Sequence, residues 1–357
     1  MQPERFCSQR GVLRHQADQS LTQALRGFEV RLLFIGGTGE ISFACVAEAA
    51  RAGHQVTVLN RGRTTEALPP GVEQIVGDRS DYRALTELAA KNFDVVCQFL
   101  AFDVADAAKD ITTFKGHCGQ FVFVSSASVY RRPPRQLPVD ETSSVGNQFS
   151  PYAEAKLGCE ALYQQSFDEG HMPVTIVRPS HTYRHRLPST IVSGDHLAWR
   201  LTHGKPVAVH GDGQSLWTLT HADDFARAFV ALCGHDKAVG QTVNITDSTG
   251  HTWNHILAKV AAAIDVIPNI RPIPILRLEA AIPDLGPSLS GDKANSLVFD
   301  PSKLKSLVHG WQCDIPLEDG IRSAWSVTAK RLRDGFRPDE FLDAKIDELI
   351  EQSDHPN

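Results

Sequence analysis

The stretch Arg31-Leu32-Leu33-Phe34-Ile35-Gly36-Gly37-Thr38-Gly39-Glu40-Ile41-Ser42 decides the fold of this chain. Residues 32–35 are an apolar run that predicts a buried strand, and a helix is predicted from about Gly39 to Ala52. The glycines between them let the backbone turn tightly and approach a pyrophosphate, which the helix N-terminus would bind with free N–H groups. Ser42 stands where the usual fingerprint has glycine, and its small side chain still permits close packing of helix on strand. A glycine turn between a strand and a helix predicts dinucleotide binding rather than a simple loop.

Short apolar runs continue to alternate with amphipathic segments along the next 150 residues. Further strands are predicted at 55–59, 73–76, 94–99, 120–124 and 173–177, and helices at 82–91, 104–114 and 151–169. Such alternation, with strands apolar on both faces, is typical of a doubly wound parallel sheet of the Rossmann type, an α/β fold. A helix at 223–233 and a strand at 242–246 follow, and this strand is expected to return to the sheet.

The pattern predicts two domains and a polar N-terminal extension. Residues 1–28 are rich in Gln and Arg and lack the apolar core of a signal peptide, so they are expected to form an extension ahead of the first strand. Residues 29–183 and about 205–247 are assigned to the dinucleotide-binding domain. Residues 184–204 and 248–357, with Pro-rich connections at 267–274 and 282–287, are assigned to a smaller substrate-binding domain.

Bulk properties narrow the class of protein. The 357 residues carry a formal net charge of −6, which gives no basic surface for nucleic acid. The seven cysteines are scattered without a C-x-x-C pair, so a reduced, cytoplasmic protein is expected. No apolar run approaches the roughly 18–20 residues that cross a bilayer, so no membrane association is expected, and no metal site is predicted.

The end of the second strand bears on the choice of dinucleotide. An acidic residue there would bind the ribose 2′-OH of NAD, but the sequence reads Asn60-Arg61-Gly62-Arg63. Arg61 and Arg63 favour the 2′-phosphate of NADP slightly; alternatively, Arg61 stacks on adenine and Asn60 binds the ribose of NAD. Asp78, after the third strand, either accepts from the adenine amino group or caps the following helix.

Tyr152 and Lys156 are four residues apart on the predicted helix 151–169 and therefore share one face. There the ammonium is expected to lower the pKa of the phenol, ordinarily near about 10, and make it a proton shuttle. Ser126, about one strand and loop upstream, is expected to hold the substrate oxygen. The glycine turn turns this otherwise common pair into a candidate catalytic site.

These motifs together resemble the short-chain dehydrogenase/reductase superfamily, specifically its extended branch of NAD-dependent epimerases and dehydratases. The resemblance covers roughly residues 30–330. The segments that carry it are the glycine turn at 36–42, Val124–Tyr130 around Ser126, Tyr152 with Lys156, Arg178-Pro179, and His221-Ala222-Asp223-Asp224.

The resemblance implies roles for individual residues. Ser126 would polarise the substrate oxygen and Tyr152 would move the proton, while Lys156 would lower the Tyr152 pKa and bind the nicotinamide ribose. The expected NAD or NADP contacts are Gly36, Gly37, Thr38, Gly39, Glu40, Ile41, Asn60, Arg61, Asp78, Arg79, Leu100, Ala101, Tyr152, Lys156, Pro179 and His181. Family members often form homodimers through a four-helix bundle, here expected from helices near 104–114 and 151–169.

Departures from the family pattern concern the substrate. Enzymes of nucleotide-diphosphate sugars usually bind the diphosphate with two arginines; here Trp217 and the segment 287–290 stand at those places. A free sugar, polyol or nucleoside is therefore expected, with Arg184, Arg186 and Arg200 as possible substitute cations. Trp217 would stack on a ring or belong to the core. The expected substrate contacts are Phe102, Ser128, His181 and Trp217.

Dehydration is not directly supported, because Ala127 and Ser128 occupy the positions of the usual acid pair. Glu141, Glu154 and His181 are candidates for that chemistry, although the preferred interpretation of His181 is a solvated or structural loop residue.

The preferred hypothesis is an NAD(P)-dependent enzyme that oxidises a hydroxyl of a sugar-like substrate, with epimerisation or water elimination through the ketone and possible hydride return. The alternatives are a simple alcohol dehydrogenase or ketone reductase, a nucleotide-diphosphate-sugar epimerase with substitute arginines, and a non-catalytic sensor or RNA-associated protein.

Overall fold

A computed structural model describes residues 29–64 and 66–354; the expected polar extension at 1–28 lies outside the described residues. Its centre is a parallel sheet of seven strands in the order β11-β6-β5-β4-β1-β2-β3. The strands are β1 Arg31–Ile35, β2 Gln55–Asn60, β3 Glu73–Val76, β4 Phe93–Gln98, β5 Cys118–Val124, β6 Val174–Pro179 and β11 Thr242–Ile245. The predicted Rossmann-type sheet is confirmed, including the return of the strand near 242.

Helices cover both faces of the sheet and bury most of its strands, except the edge strand β3, which is largely exposed. On one face lie α1 Glu40–Arg51 and α6 Ala222–Leu232, which pack against each other. On the other face lie α2 Tyr82–Ala89, α3 Val104–Phe114 and α4 Pro151–Asp168. Each of these helices lies within one or two residues of its predicted range.

A second apolar core lies beyond the sheet and is centred on the buried Trp253. Its helices are α5 Gly194–Thr202, α7 Trp253–Ile264 and α10 Leu317–Arg333. The helices α8 Ile275–Ala281 and α11 Glu340–Asp354 contribute to a separate apolar cluster, and α9 Ser302–Leu307 packs into the core of the large sheet. Three two-stranded sheets accompany them: β7 His181–Tyr183 with β10 Leu219–His221, β8 Val207–His210 with β13 Ile270–Ile273, and β9 Leu216–Trp217 with β12 His251–Thr252. The division into two domains at the expected boundaries stays a prediction.

The predicted Pro-rich connection at 267–274 was wrong in one respect, because residues 270–273 form a strand. Ile270–Ile273 pairs in parallel with Val207–His210. Pro272 cannot donate to a ladder, but a strand with only one neighbour has a free side on which that missing N–H does no harm.

The register of the large sheet positions the functional residues. Ile35 pairs with Leu59 on one side and with Gln98 on the other. The carboxyl ends of β1, β2, β4, β5 and β6 therefore meet at one edge, where ligands bind in open α/β sheets.

Candidate active site

The glycine turn is built as the sequence predicts. Gly36 and Gly37 have φ of +107° and +118°, in the left-handed region that favours glycine. A Cβ on Gly37 would lie 2.7 Å from Val58 Cγ1, so the turn packs directly on the second strand. Ser42 has a role beyond its small size, since its Oγ accepts hydrogen bonds from the N–H groups of Gly37 (3.2 Å) and Gly39 (3.0 Å).

A cleft of about 760 Å³ opens above this turn at the sheet edge. Among the residues expected to bind the dinucleotide, it is lined by Gly36, Gly37, Thr38, Gly39, Ile41, Asn60, Arg61, Asp78, Arg79, Leu100, Tyr152, Lys156 and Pro179. Two buried polar atoms in its wall, Asn60 Nδ2 and Ser125 Oγ, have no hydrogen-bond partner within the described chain. The close backbone approach, the helix N-terminus and these atoms fit a nicotinamide dinucleotide.

Three expected cofactor residues do not line the cleft. Glu40 turns away from it, because its carboxylate accepts from the N–H groups of Arg184 (3.1 Å) and His185 (2.8 Å). Ala101 is buried and contributes only its carbonyl, which accepts from Lys156. His181 lies in a neighbouring cavity instead.

The adenosine end of the cleft carries two exposed arginines, Arg61 and Arg63. Asn60 Oδ1 accepts from the N–H of Gly62 (2.9 Å) and from Gln74 Nε2 (2.9 Å), which fixes the turn that carries both arginines. The end of the second strand is thus a rigid platform with positive charge above it.

The segment after the third strand, β3, contributes less positive charge to the cleft than the presence of Arg79 suggests. Arg79 is neutralised by Asp106 and by Asp110, the latter at 3.2 Å. Asp78 Oδ1 accepts from Ser80 N–H at 2.8 Å, which lowers the pKa of the Asp78 carboxyl. This contact lies in the loop before the next helix, whose N-cap is Asp81 rather than Asp78, and Asp78 also lines the cleft.

Tyr152 and Lys156 lie in the first turns of α4. Ser150 caps this helix by accepting from Ala153 N–H (3.3 Å), and Pro151 occupies its first turn. Lys156 is buried, and its Nζ donates to the carbonyl oxygens of Ala101 (2.7 Å) and Val124 (3.0 Å). The ammonium is therefore held in place between the ends of β4 and β5.

The pKa values differ from the expected arrangement. Burial lowers the pKa of Lys156 to about 8. Burial also raises the pKa of Tyr152, partly opposed by the nearby Ser126 hydroxyl, although 46% of the residue remains exposed. Lys156 Nζ lies 6.0 Å from the Tyr152 ring centroid. In this arrangement the ammonium does not lower the phenol pKa, and that role stays a prediction for the cofactor-bound enzyme.

A second cavity of about 240 Å³ adjoins the dinucleotide cleft. The two share Ser126, Pro179 and Ser180 in their walls. Of the expected substrate residues, Ser128, His181 and Trp217 line this cavity, and Ser128 Oγ accepts from Ser126 Oγ at 3.1 Å. Phe102 lines the dinucleotide cleft instead, with its ring centroid 4.8 Å from Lys156 Nζ.

Trp217 and His181 are hydrogen-bonded to each other, and each is both a structural residue and part of the wall of the second cavity. Trp217 is 4% exposed and packs against Trp253, yet its indole N–H donates to His181 Nδ1 at 3.0 Å. Burial lowers the pKa of His181 to about 3, so the ring is neutral. With Nδ1 accepting, the proton resides on Nε2, and His181 is a neutral donor beside the cavity.

The charged residues of the second cavity were missed from the sequence. Arg132 is buried and its Nη2 donates to Asp292 Oδ1 at 2.8 Å, while Lys293 lines the same wall. The position of Lys293, directly after Gly291-Asp292, was a usable signal, because the family places substrate contacts at that segment. Arg132 had none, since only the tertiary fold brings it to Asp292.

The expected substitute cations do not line this cavity in the described structure. Arg184 pairs with Glu66 (2.9 Å), and Arg186 is exposed beside Glu40. Arg200 is committed to other carboxylates, namely Asp343 and Asp347.

Of the three candidate residues for dehydration, His181 lines the second cavity, whereas the two glutamates lie elsewhere. Glu141 accepts from Asn244 N–H at 2.7 Å, and Glu154 is exposed on α4. Neither belongs to the walls of the two described cavities.

The Arg178-Pro179 motif has a structural basis. Arg178 is buried and donates to both carboxylate oxygens of Glu160, at 2.9 and 2.6 Å. This pair ties β6 to α4 and so fixes Pro179 relative to the helix that carries Tyr152 and Lys156.

Comparison with known proteins supports the resemblance. A sequence model described as "NAD dependent epimerase/dehydratase family" matches residues 100–246, a span that contains Ser126, Tyr152 and Lys156. The chain is 28% identical over 324 residues to 2'-dehydrokanamycin reductase of Streptomyces kanamyceticus, covering 90% of each protein. It is 26% identical over 337 residues to the chloroplast stem-loop binding protein of 41 kDa b of Arabidopsis thaliana, covering 89% of this chain and 85% of the relative.

Solved structures show the same fold at low identity. An epimerase from Methanothermobacter thermautotrophicus superposes with a TM-score of 0.71 at 16% identity, covering 88% of this chain and 96% of that one. UDP-glucose 4-epimerase from Bifidobacterium longum, in complex with NAD+ and UDP, gives 0.67 at 19% identity, covering 85% and 99%.

The chain shares the fold of these epimerases. Residues 100–246 match the NAD-dependent epimerase/dehydratase family, and the similarity to the Streptomyces reductase extends over 90% of each protein, which supports an enzyme similar to members of that family. Its cofactor is a nicotinamide dinucleotide. Within residues 29–64 and 66–354, no helix is long and apolar enough to cross a membrane.

Proposed function

We propose that this enzyme interconverts a secondary hydroxyl and a ketone on a small sugar-like molecule, with ketone reduction as the net reaction. The observation that carries the proposal is the position of Ser126, in the wall shared by the dinucleotide cleft and the second cavity. A substrate oxygen held there lies beside Tyr152 at the end of the cofactor cleft.

The residues of the site divide the work of a hydride transfer. A bound nicotinamide would supply or accept the hydride. Ser126 Oγ donates a hydrogen bond to the substrate oxygen and orients it. Tyr152 delivers its phenolic proton to that oxygen during reduction and recovers one during oxidation. Lys156 holds a positive charge close to the forming phenolate.

Net redox chemistry is favoured over elimination by what surrounds the site. Ala127 and Ser128 offer no carboxyl group, and neither Glu141 nor Glu154 lines the two described cavities. The relative from Streptomyces kanamyceticus is named a reductase, which supports the same direction. Epimerisation with return of the hydride to the substrate is the alternative reaction that the resemblance to this family allows.

The size of the second cavity supports a small substrate. Its volume of about 240 Å³ is below the range of about 300–1,000 Å³ typical of pockets for drug-sized ligands. The expected diphosphate arginines are absent from the sequence, and the three substitute arginines lie outside its described walls. A free sugar, polyol or nucleoside therefore fits better than a nucleotide-diphosphate sugar.

NADP is the proposed dinucleotide. Arg61 and Arg63 flank the adenosine end of the cleft and are exposed, whereas the acidic residue typical of NAD enzymes is absent from the end of the second strand. Two cations at this place suit a 2′-phosphate, which carries negative charge and several acceptor oxygens.

A homodimer in the cytoplasm completes the proposal. The helices Val104–Phe114 and Pro151–Asp168 contact each other, and Val104 is 51% exposed. The native mass of the purified protein tests this assembly, and a monomeric mass would contradict it.

The Arabidopsis relative raises RNA binding as a second function, but the site does not favour it. The chain keeps Ser126, Tyr152 and Lys156 together, and its net charge of −6 opposes a polyanion.

A substrate screen tests the proposal. Purified enzyme is incubated with NADPH or NADH and a panel of keto sugars and keto nucleosides, while the absorbance of the reduced nicotinamide and the product masses are followed. We expect consumption of reduced cofactor together with a product two hydrogens heavier. Epimerised products without net consumption would replace net reduction by a closed redox cycle, and the absence of both would contradict the proposal.

A further inference from the structure

We propose that the second cavity is a subsite for an anionic group of the substrate, a carboxylate or a phosphate, and that Lys293 is its cationic partner. This inference rests on the proposed function, because it takes the cavity beside Ser126 as the substrate site. It adds a charge requirement to what is otherwise a site for a neutral sugar-like molecule.

The charge balance of the cavity carries the argument. Its charged lining residues are Arg132, Asp292 and Lys293. Arg132 and Asp292 form a short ion pair at 2.8 Å and neutralise each other. Lys293 is left with no ion pair in the described part of the chain. The lining of the cavity therefore carries one positive charge in excess, which a bound anion would balance.

The backbone around Lys293 is firmly held. Residues Leu289–Lys293 form a single π-helical turn, an irregularity that occurs frequently at functional sites. The carbonyl oxygen of Lys293 accepts from Ser215 Oγ (2.9 Å) and from His210 Nε2 (3.1 Å). A lysine at a rigid position loses less conformational freedom on binding a ligand than one on a mobile loop.

The surroundings of the ammonium make an anion favourable. Burial lowers the pKa of Lys293, which means that the charged form is poorly solvated without a partner. A carboxylate or phosphate would supply a charge-assisted hydrogen bond in this partly desolvated place, where such bonds are strong.

His181 provides a second donor for the same group. His181 lines the cavity and its neutral ring carries the proton on Nε2, and the charge of Lys293 is close enough to lower the His181 pKa further. An ammonium and a neutral N–H in one small cavity suit an oxyanion. A neutral polyol leaves the ammonium unpaired, and an amino sugar adds a second positive charge.

Equilibrium binding to the cofactor-loaded enzyme tests the inference. The probes are glucose, glucuronate, glucose 6-phosphate and glucosamine, which differ in one charged group, and dissociation constants are measured by titration calorimetry. We expect at least one anionic probe to bind about tenfold or more tightly than glucose, and glucosamine more weakly. The tighter of the two anions identifies carboxylate or phosphate as the preferred group.

Variants assign this preference to one side chain. Lys293→Met should reduce the preference for the anion to about twofold or less, whereas Lys293→Arg should retain most of it. Lys305→Met, at an exposed lysine outside the cavity, is the matched control and should leave all four constants unchanged.

The inference is overturned if no anionic probe binds more tightly than glucose, including the case in which none binds. It is also overturned if the preference survives in Lys293→Met. Reduction of neutral keto sugars without any preference for anions would contradict the anion subsite but would be consistent with the proposed reaction. Lys293-dependent anion binding without hydride transfer to any ketone would contradict the proposed reaction but would be consistent with the anion subsite.

Discussion

Replacing Lys156 by methionine removes an ammonium that the fold buries, and the expected effect on stability depends on pH. Lys156 is 2% exposed, and burial lowers its pKa from 10.5 to about 8. Below pH 8 the side chain is charged in both the folded and the unfolded chain, so the burial penalty is complete. Between about pH 8 and 10.5 the folded protein loses this proton while the unfolded chain keeps it. Stability of the wild type therefore rises with pH relative to the variant.

The size of the effect follows from the shift. One pKa unit corresponds to about 1.36 kcal/mol, so between about pH 7 and 9.5 the wild type should gain about 2 kcal/mol relative to Lys156→Met. The variant also loses the hydrogen bonds to Ala101 O and Val124 O. The loss of these hydrogen bonds lowers the stability of the variant equally at both pH values, so it does not change the pH dependence of the difference between wild type and variant.

Urea unfolding of the cofactor-free protein at both pH values measures this difference. Lys305→Met, at an exposed site, serves as the control and should follow the wild type at both values. A wild type that gains less than about 0.5 kcal/mol over Lys156→Met would show that burial does not perturb this ammonium.

Two further variants, one double and one single, test the choice of cofactor and the buried ion pair that supports the site. Arg61→Gln with Arg63→Gln should raise KM for NADPH about tenfold or more and leave KM for NADH within about twofold, because only NADPH carries the 2′-phosphate; equal effects on both cofactors would contradict NADP preference. Glu160→Gln should destabilise the protein by about 3–5 kcal/mol in urea unfolding, because it leaves the buried Arg178 guanidinium uncompensated. Glu87→Gln, in an exposed pair, should cost at most about 1 kcal/mol, and similar losses in the two variants would contradict the assignment.

Local patterns carried most of the fold. The apolar run before Gly36, the glycine turn and the helix after it interact with close neighbours in sequence, so their residue types specify their structure directly. The strands of the large sheet other than the edge strand Glu73–Val76 are mostly buried on both faces and form apolar runs in the sequence. Residues 270–273 were missed because Pro272 is a strong signal against a strand, whereas pairing with residues 207–210 is decided by tertiary contacts.

The site residues that belong to short sequence motifs could be predicted, whereas those brought to the site only by tertiary contacts could not. Ser126, Tyr152 and Lys156 follow from spacing and motif order, and all three line the cofactor cleft. Their protonation energetics depend on burial, which raises the Tyr152 pKa, and the lowering of that pKa by Lys156 stays a prediction for the cofactor-bound enzyme. Lys293 reaches the substrate cavity from a segment 137 residues beyond Lys156, and its position after Gly291-Asp292 is a signal only through the family resemblance, not through any helix or strand pattern. Arg132 has no such signal.

The central claim is that Tyr152 and Ser126 carry proton transfer and orientation for hydride exchange with a ketone. Its most direct measurement is deuterium transfer from reduced cofactor that carries deuterium at both hydrogens of the nicotinamide C4 to a substrate found in the screen, followed by mass spectrometry in wild type and Tyr152→Phe. We predict one deuterium in the wild-type product and a rate lower by about 10²- to 10⁴-fold in the variant, with dinucleotide affinity nearly unchanged. A product without deuterium, or equal rates in the two proteins, would contradict the account.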